Sequence, residues 1–154
     1  MQPTHEKPKW VYLDVCSLCR PFDDQRQIRI QLETRAVELI FTHVRQDHIK
    51  LIISAAHTIE IEAIGDLEER TQLMFLRNQL GTRPKFNLIA ARQRAKYLVS
   101  QGLGIADATH LAFAEQVQTE FVTVDDRLMK RYQRTHPIIW CGSPIAYCEK
   151  ENLK

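Results

Sequence analysis

Four acidic residues in distant parts of this sequence are the strongest candidates for a chemical role. Asp14 and Asp125 each come directly after a short apolar run. Glu60 and Asp107 lie near the starts of two segments with helical spacing. If these carboxylates meet in space, their oxygen atoms would form a site for a hard divalent cation.

Carboxylates at such short range need a counterion. Two unit charges about 5 Å apart repel by roughly 3 kcal/mol at an effective dielectric of about 20. Several such pairs would destabilise a small domain unless protons or cations neutralise them. Mg²⁺ suits this site because it takes oxygen ligands and keeps several waters, and Mn²⁺ has similar ligand preferences. The corresponding chemistry is hydrolysis of a phosphodiester bond. Taken singly, each acid is equally well explained as a helix cap or a surface residue.

The apolar patterns predict an α/β protein in which strands and helices alternate. Uniformly apolar strands indicate a parallel sheet that is buried on both faces, with ligands bound beyond its carboxyl ends. Asp23 or Asp24 is the expected N-cap of the first helix, and residues 81–85 are expected to form a turn. The predicted strands are residues 10–13, 51–53, 121–124 and 138–140, and the predicted helices are about 25–45, 55–64, 65–80, 88–100, 107–118 and 127–134.

The length and composition are those of one globular domain. The chain has 154 residues, of which 44% are hydrophobic and 26% charged. We expect a core spanning about 10–140 with short polar tails. No apolar run approaches the roughly 18 residues that a membrane span requires. Residues 1–9 are polar and do not resemble a secretion signal. A cytoplasmic protein without a membrane partner is therefore expected.

The net charge of +2 is too small to identify a partner, but the basic residues are clustered. Solvated helix faces would explain each cluster alone. If the chain binds RNA, we expect the two clusters to hold its phosphate backbone. One cluster contains Arg92, Arg94 and Lys96, and the other contains Arg127, Lys130, Arg131 and Arg134.

Four short segments resemble, in order, the acidic motifs of PIN domains. The resemblance covers about residues 10–140, and residues 13–24 are also similar to stand-alone bacterial PIN proteins. No motif is specific alone, whereas four in this order form a strong signal. The segments are Tyr12-Leu13-Asp14, Thr58-Ile59-Glu60, residues 104–112 (GIADATHLA) and residues 122–126 (VTVDD).

The resemblance implies a three-layer α/β/α sandwich around a parallel sheet and a Mg²⁺- or Mn²⁺-dependent endoribonuclease. Many single-domain bacterial members are VapC-like toxins that a small antitoxin neutralises, and homodimers are usual. By position, the catalytic acids would be Asp14, Glu60, Asp107 and Asp125, of which Asp14, Asp107 and Asp125 would bind the metal.

Other positions carry smaller expectations from the same resemblance. Thr123 would support the site by hydrogen bonding, and Asp126 would assist or substitute for its neighbour. Glu62 would replace Glu60 if the helix register differed. Cys16 departs from the family, since many members have Asn or Ser there, and a thiol is a weak hydrogen-bond partner.

Two further readings come from other functional classes. The spacing of Cys16 and Cys19 is that of thiol–disulfide proteins, but the nearby acidic residues oppose a thiolate. A zinc site would need a second tight pair of ligands, which the sequence lacks.

The second alternative is a PIN-like module that binds nucleic acid without cleaving it, and it shares the basic clusters. His57 and His110 are more readily explained as polar helix positions than as ligands.

Overall fold

A computed structural model describes residues 8–154 of the chain. Within these residues there are five strands and eight helices. The strands are β1 (Lys9–Leu13), β2 (Ile49–Ile52), β3 (Gly81–Thr82), β4 (Glu120–Val122) and β5 (Cys141–Gly142). The helices are α1 (Val15–Cys19), α2 (Ile28–Arg45), α3 (Ala55–Glu62), α4 (Leu67–Leu80), α5 (Leu88–Ser100), α6 (Ile105–Gln116), α7 (Asp126–Gln133) and α8 (Pro144–Lys150), and one 3₁₀ turn, Arg20–Phe22, follows α1.

All neighbouring strands pair in parallel, in the order β3-β2-β1-β4-β5. Successive residues of the central strand enter different cores, because side chains alternate between the two faces of a sheet. Leu13 packs in a core with α2, α4 and α8, whereas Tyr12 packs in a core with α5, α6 and α7. The chain therefore forms the expected three-layer α/β/α sandwich.

The third strand depends on a close backbone approach. A Cβ atom at Gly81 would lie 2.4 Å from the carbonyl oxygen of Arg77 and 2.6 Å from Cγ1 of Ile53. Only glycine avoids both contacts. Residues 81 and 82 can therefore pair with β2, and part of the expected turn is a short strand.

The predicted start of α2 was wrong by three residues. Asp24 accepts a hydrogen bond from the backbone nitrogen of Arg26 at 3.0 Å, so its side chain caps a turn rather than the helix. Gln25 donates to the carbonyl oxygens of Arg20 and Asp23, which holds this turn in place. The helix consequently begins after Gln27, whose side chain makes no capping bond.

The C-terminal part also differs from the prediction. The last strand is Cys141–Gly142, and its pairing begins where the nitrogen of Phe121 donates to the carbonyl oxygen of Trp140 at 2.9 Å. Ile138, expected inside this strand, is 68% exposed. The tail, which has no clear sequence pattern, forms α8, and its Tyr147 lies fully buried against the sheet. None of the helices in residues 8–154 is long and apolar enough to cross a bilayer.

Candidate active site

The acidic residues are positioned by the point at which the sheet changes direction. From β1 the chain builds outward through β2 and β3, then returns to the opposite side of β1 to form β4 and β5. The crevice beyond the carboxyl ends of β1 and β4 is therefore the topological switch point, where ligands bind in such sheets. Asp14 follows β1, and Thr123 and Asp125 follow β4.

Asp14 is buried and held at both of its carboxylate oxygens. It is 4% exposed, and its Oδ1 accepts a hydrogen bond from the backbone nitrogen of Ser17 at 2.9 Å, which caps α1. Its Oδ2 accepts from the hydroxyl of Thr123 at 2.6 Å. Burial raises the pKa of the Asp14 carboxyl, and the bonds from Thr123 and Ser17 oppose that rise. The side chain is thus fixed in one orientation.

Thr123 connects the acids on neighbouring strands. While its hydroxyl donates to Asp14, the same oxygen accepts from the backbone nitrogen of Asp125 at 3.1 Å. Asp125 caps α7, since its Oδ1 accepts from the backbone nitrogens of Arg127 and Leu128 at 2.9 and 3.1 Å. Its Oδ2 makes no hydrogen bond to any residue in the described part of the chain and can bind a ligand. Thr123 therefore links the carboxylate of Asp14 to the backbone of Asp125.

Glu60 is held by a network of buried side chains that the sequence reasoning missed. Its Oε1 accepts from Nε2 of His110 at 2.9 Å. Nδ1 of His110 lies 2.5 Å from the hydroxyl of Tyr12, which lies 2.7 Å from the hydroxyl of Ser54. With Nε2 donating to the carboxylate, a neutral His110 accepts the Tyr12 proton and Tyr12 accepts that of Ser54. The only signal in the sequence was a histidine one helical turn after Asp107.

His57 fixes the backbone around this network. Its Nδ1 accepts from the backbone nitrogen of Ser54 at 3.0 Å, and its Nε2 donates to the carbonyl oxygen of Leu13 at 2.7 Å. These two contacts specify the neutral tautomer with the proton on Nε2. Burial lowers the pKa of His57 to about 3, with a further contribution from His110. His57 therefore joins the start of α3 to the end of β1 and is not a base.

The pKa of Asp107 is affected by the charges of the other three acids. Asp107 lies in the first turn of α6 and is partly buried. Burial, followed by the charges of Asp14 and Asp125, raises its pKa to about 6, and Glu60 adds to the rise. The charges of Asp14, Asp125 and Glu60 thus all oppose ionisation of Asp107.

The chemistry of these donors fits Mg²⁺ or Mn²⁺. All four offer carboxylate oxygens, and within the described residues neither oxygen of Asp107 takes part in a hydrogen bond. In residues 8–154, no three His, Cys, Asp or Glu side chains lie close enough to ligate one ion together. Direct protein ligands would therefore be few. That suits Mg²⁺, which retains several waters and is often bound by one or two carboxylates.

The reserve acids occupy other positions. Asp126 accepts from both terminal nitrogens of Arg29, at 2.8 and 2.9 Å, and this ion pair lowers its pKa. Glu62 is exposed near the end of α3 and its charge acts on Arg77, whereas Glu60 acts on Asp107. His110 on α6 thus holds Glu60, whereas Asp126 is paired with Arg29 and Glu62 is exposed.

The basic clusters lie on two helices. Arg92 and Lys96 are exposed on α5. Arg94 is instead engaged within the fold, where it donates to both oxygens of Glu115 at 2.6 and 3.0 Å. Three further members of the prediction, Arg127, Lys130 and Arg131, are exposed on α7, which begins at Asp125.

The cysteines lack the properties of a redox pair. Cys16 and Cys19 are free thiols on α1. Partial burial raises the pKa of Cys16 to about 12, and the charge of Asp14 is the next largest cause. The charges of Glu60, Asp107 and Asp125 act in the same direction. A thiol–disulfide protein requires the opposite shift, because the thiolate is the reactive form. The structure thus opposes the thiol-based alternative.

Known structures share this architecture. The crystal structure of FitAcB from Neisseria gonorrhoeae is 15% identical in sequence, with a TM-score of 0.51 over 87% of this chain and 97% of that one. The structure of FitAB bound to the IR36 DNA fragment is also 15% identical, with a TM-score of 0.53 over 88% of this chain and 95% of that one. No protein family model and no curated protein matches the sequence. At this identity the similarity shows the fold alone, and it confirms the PIN-like fold.

Proposed function

We propose that this PIN-like chain is an endoribonuclease that uses Mg²⁺ or Mn²⁺ to hydrolyse phosphodiester bonds in RNA. The observation that carries the proposal is the arrangement at the switch point of the sheet, where Thr123 donates to the carboxylate of buried Asp14 and accepts from the backbone nitrogen of Asp125. The pKa of Asp107, which burial and the charges of Asp14, Asp125 and Glu60 raise to about 6, supports it. A structural protein gains nothing from four mutually repelling carboxylates, whereas a cation site requires them.

Each acid has a distinct task in this proposal. Asp14, Asp107 and Asp125 would hold the metal, in part through water, since in residues 8–154 no three such side chains lie close enough to ligate one ion together. When bound, the metal supplies positive charge for the phosphodiester oxygens and lowers the pKa of a water molecule. Oε2 of Glu60 then accepts the proton of the attacking water, while His110 holds Oε1 and fixes the side chain. Thr123 holds Asp14 and the backbone of Asp125 in position through its hydroxyl.

The exposed basic residues Arg92 and Lys96 on α5, and Arg127, Lys130 and Arg131 on α7, are proposed to hold the RNA backbone. Arg127 has the strongest claim because its backbone nitrogen donates to Asp125. Arg94 is not proposed to contact RNA, because its guanidinium is paired with Glu115.

The proposal extends to a toxin with a protein partner. The motif resemblance and the fold similarity to FitAcB and FitAB support a toxin–antitoxin module, in which a small antitoxin binds this chain and a homodimer forms. Co-purification of the tagged chain with the product of the adjacent gene tests this extension. Recovery of the chain alone, as a monomer, would contradict it.

The nuclease activity is tested on structured and unstructured RNA with Mg²⁺, Mn²⁺ or EDTA. We expect internal cleavage that requires the metal and is lost in Asp14→Asn. Glu38→Gln is the matched control, since this exposed acid on α2 undergoes the same loss of charge. Full activity of Asp14→Asn would overturn the assignment of the site. Metal-independent RNA binding without cleavage would favour the non-catalytic module instead.

A further inference from the structure

A cavity of about 380 Å³ lies beside α3, outside the acidic site. Its volume is within the range of about 300–1,000 Å³ that small-molecule sites occupy. Ser54, Ala55 and Thr58 contribute the start of α3, and Arg77 and Arg83 contribute two guanidinium groups. Ile53, Ile59, Pro84 and Phe86 complete the apolar part of the wall.

The two arginines carry charge that the fold does not neutralise. Across residues 8–154, neither Arg77 nor Arg83 forms an ion pair, and Arg77 donates only to the neighbouring Asn78 side chain at 2.7 Å. The Nε atom of Arg77 is buried without a hydrogen-bond partner. Because this atom is buried, it is not itself open to a ligand. Arg77 and Arg83 nevertheless line one cavity and, within the described residues, have no acidic partner, which favours an anion there.

The electrostatics agree with the geometry. Burial lowers the pKa of Arg77, and the positive charge of Arg83 lowers it further. The positive charges of Arg77 and Arg83 therefore repel each other, and the charge of Glu62 offsets part of this effect. The cavity also includes the N-terminal turn of α3, whose backbone dipoles favour negative charge. A phosphate group would relieve the repulsion between the guanidiniums and could accept two parallel hydrogen bonds from one of them.

The cavity is connected to the acidic site through α3. Thr58 and Ile59 line the cavity, and Glu60 follows them directly. Ser54 lines the cavity and also lies 2.7 Å from the Tyr12 hydroxyl in the network that holds Glu60. Residues of α3 that line the cavity are thus adjacent in sequence to Glu60.

We propose that the cavity binds the nucleotide next to the scissile bond of the RNA, with Arg77 and Arg83 contacting its phosphate and Ile59, Pro84 and Phe86 contacting its base. This inference rests on the proposed nuclease function. The cavity would add a binding site to the basic faces of α5 and α7. It would also fix the position of the RNA strand relative to the acidic site. The walls offer few polar groups, so the cavity recognises phosphate and a base plane rather than one base.

The test measures binding of a fluorescent oligouridylate in EDTA, in the Asp107→Asn background, so that no cleavage is needed. We expect Arg83→Gln to weaken binding about fivefold to tenfold and to reduce the slope of log K against log salt by about 0.7, the value for one contact to single-stranded phosphate. Arg83→Lys should retain most of the slope, because it keeps the charge.

Arg77 is tested separately. Arg77→Gln removes the charge, so weaker binding with a smaller salt slope supports a phosphate contact of this guanidinium, and unchanged binding contradicts it. Arg35→Gln is the matched control, because Arg35 is exposed on α2 and, in the described part of the chain, has no ion pair. Thermal unfolding of every variant checks that the fold is intact.

The outcomes distinguish the two proposals. If binding of oligothymidylate depends equally on both arginines, the cavity proposal is supported. That result would also show that the cavity recognises phosphate without the 2′-hydroxyl. RNA binding that is insensitive to Arg77 and Arg83, or no more sensitive than to Arg35, would overturn the cavity and leave the nuclease intact. Absence of RNA binding by the Asp107→Asn protein would overturn the cavity proposal, and the cleavage assay with Mg²⁺ or Mn²⁺ decides the nuclease proposal separately.

Discussion

Replacing Asp107 by asparagine should stabilise the protein at neutral pH while it abolishes the activity. In the folded protein, burial and the charges of Asp14 and Asp125 raise the pKa of Asp107 to about 6, from an ordinary value of 3.8. The folded state therefore binds this proton more tightly than the unfolded state does. The contribution of Asp107 to stability is therefore fully present at pH values below about 4 and is lost as the pH rises through 6.

The size of the effect follows from this pKa. The difference between about 6 and 3.8 corresponds to about 3 kcal/mol at 1.36 kcal/mol for each pKa unit. Asp107 is partly exposed, and solvent screening reduces this figure to about 1–2 kcal/mol. Asparagine has the same shape without the charge. We expect Asp107→Asn to raise the free energy of unfolding by that amount at pH 7.5, which corresponds to roughly 2–8 °C in Tm for a chain of this size.

Urea unfolding in EDTA at pH 4 and pH 7.5 measures this difference. The two proteins should have equal stability at pH 4, where wild-type Asp107 is protonated, and should diverge at pH 7.5. Glu38→Gln controls for the loss of one exposed carboxylate and should show no such divergence. Adding Mg²⁺ should then stabilise the wild type and leave Asp107→Asn unchanged, since binding to the folded state raises stability by RT ln(1 + [Mg²⁺]/Kd). A variant that is less stable than the wild type at pH 7.5 in EDTA would refute the reasoning.

Three other substitutions test separate parts of the structure. Thr123→Val should destabilise the protein by about 1–3 kcal/mol in urea unfolding, because it leaves Oδ2 of buried Asp14 without its donor; a loss below about 0.5 kcal/mol would contradict this role. His110→Ala should lower kcat about tenfold to a hundredfold with little change in KM, because Glu60 loses its orientation, and His110→Gln should recover part of the loss; equal kcat in all three proteins would argue against it. Gly81→Ala should destabilise the fold by about 1–3 kcal/mol in the same unfolding assay, since the new Cβ overlaps neighbouring atoms. The folded fraction of that variant should cleave RNA normally, and unchanged stability would show that β3 tolerates a side chain.

The central strands and most helices could be predicted from the sequence, because a buried strand or an amphipathic helix is encoded in its own residues. The strand ending at Leu13 and the helix Leu88–Ser100 are examples, and the latter was predicted at its observed bounds. The start of α2 could not be predicted in this way. Asp24 is an equally good partner for a turn and for a helix, and the choice depends on Gln25 contacting carbonyls of the preceding segment.

The C-terminal helix shows a different reason for failure. Its seven residues carry too short a pattern to reveal an apolar face, and it is held by packing against α2 and the sheet. A short helix is marginal alone and gains its stability from tertiary contacts. The exposed Ile138 produced the converse error, because an apolar residue that is left in solvent looks the same in a sequence as one that is buried.

The sequence by itself determined which acids were available and that each stood at the end of a strand or the start of a helix, since these positions follow from local periodicity. Tertiary structure decided which of them meet. It placed Asp14 beside Thr123 across two strands that are more than a hundred residues apart in sequence, and it turned Asp126 to Arg29. It also brought His110 to Glu60, a contact that depends on how α6 packs on α3. Hydrogen bonds and charge interactions between distant segments depend on distances of a few ångströms, and only the packed sheet and helices set those distances.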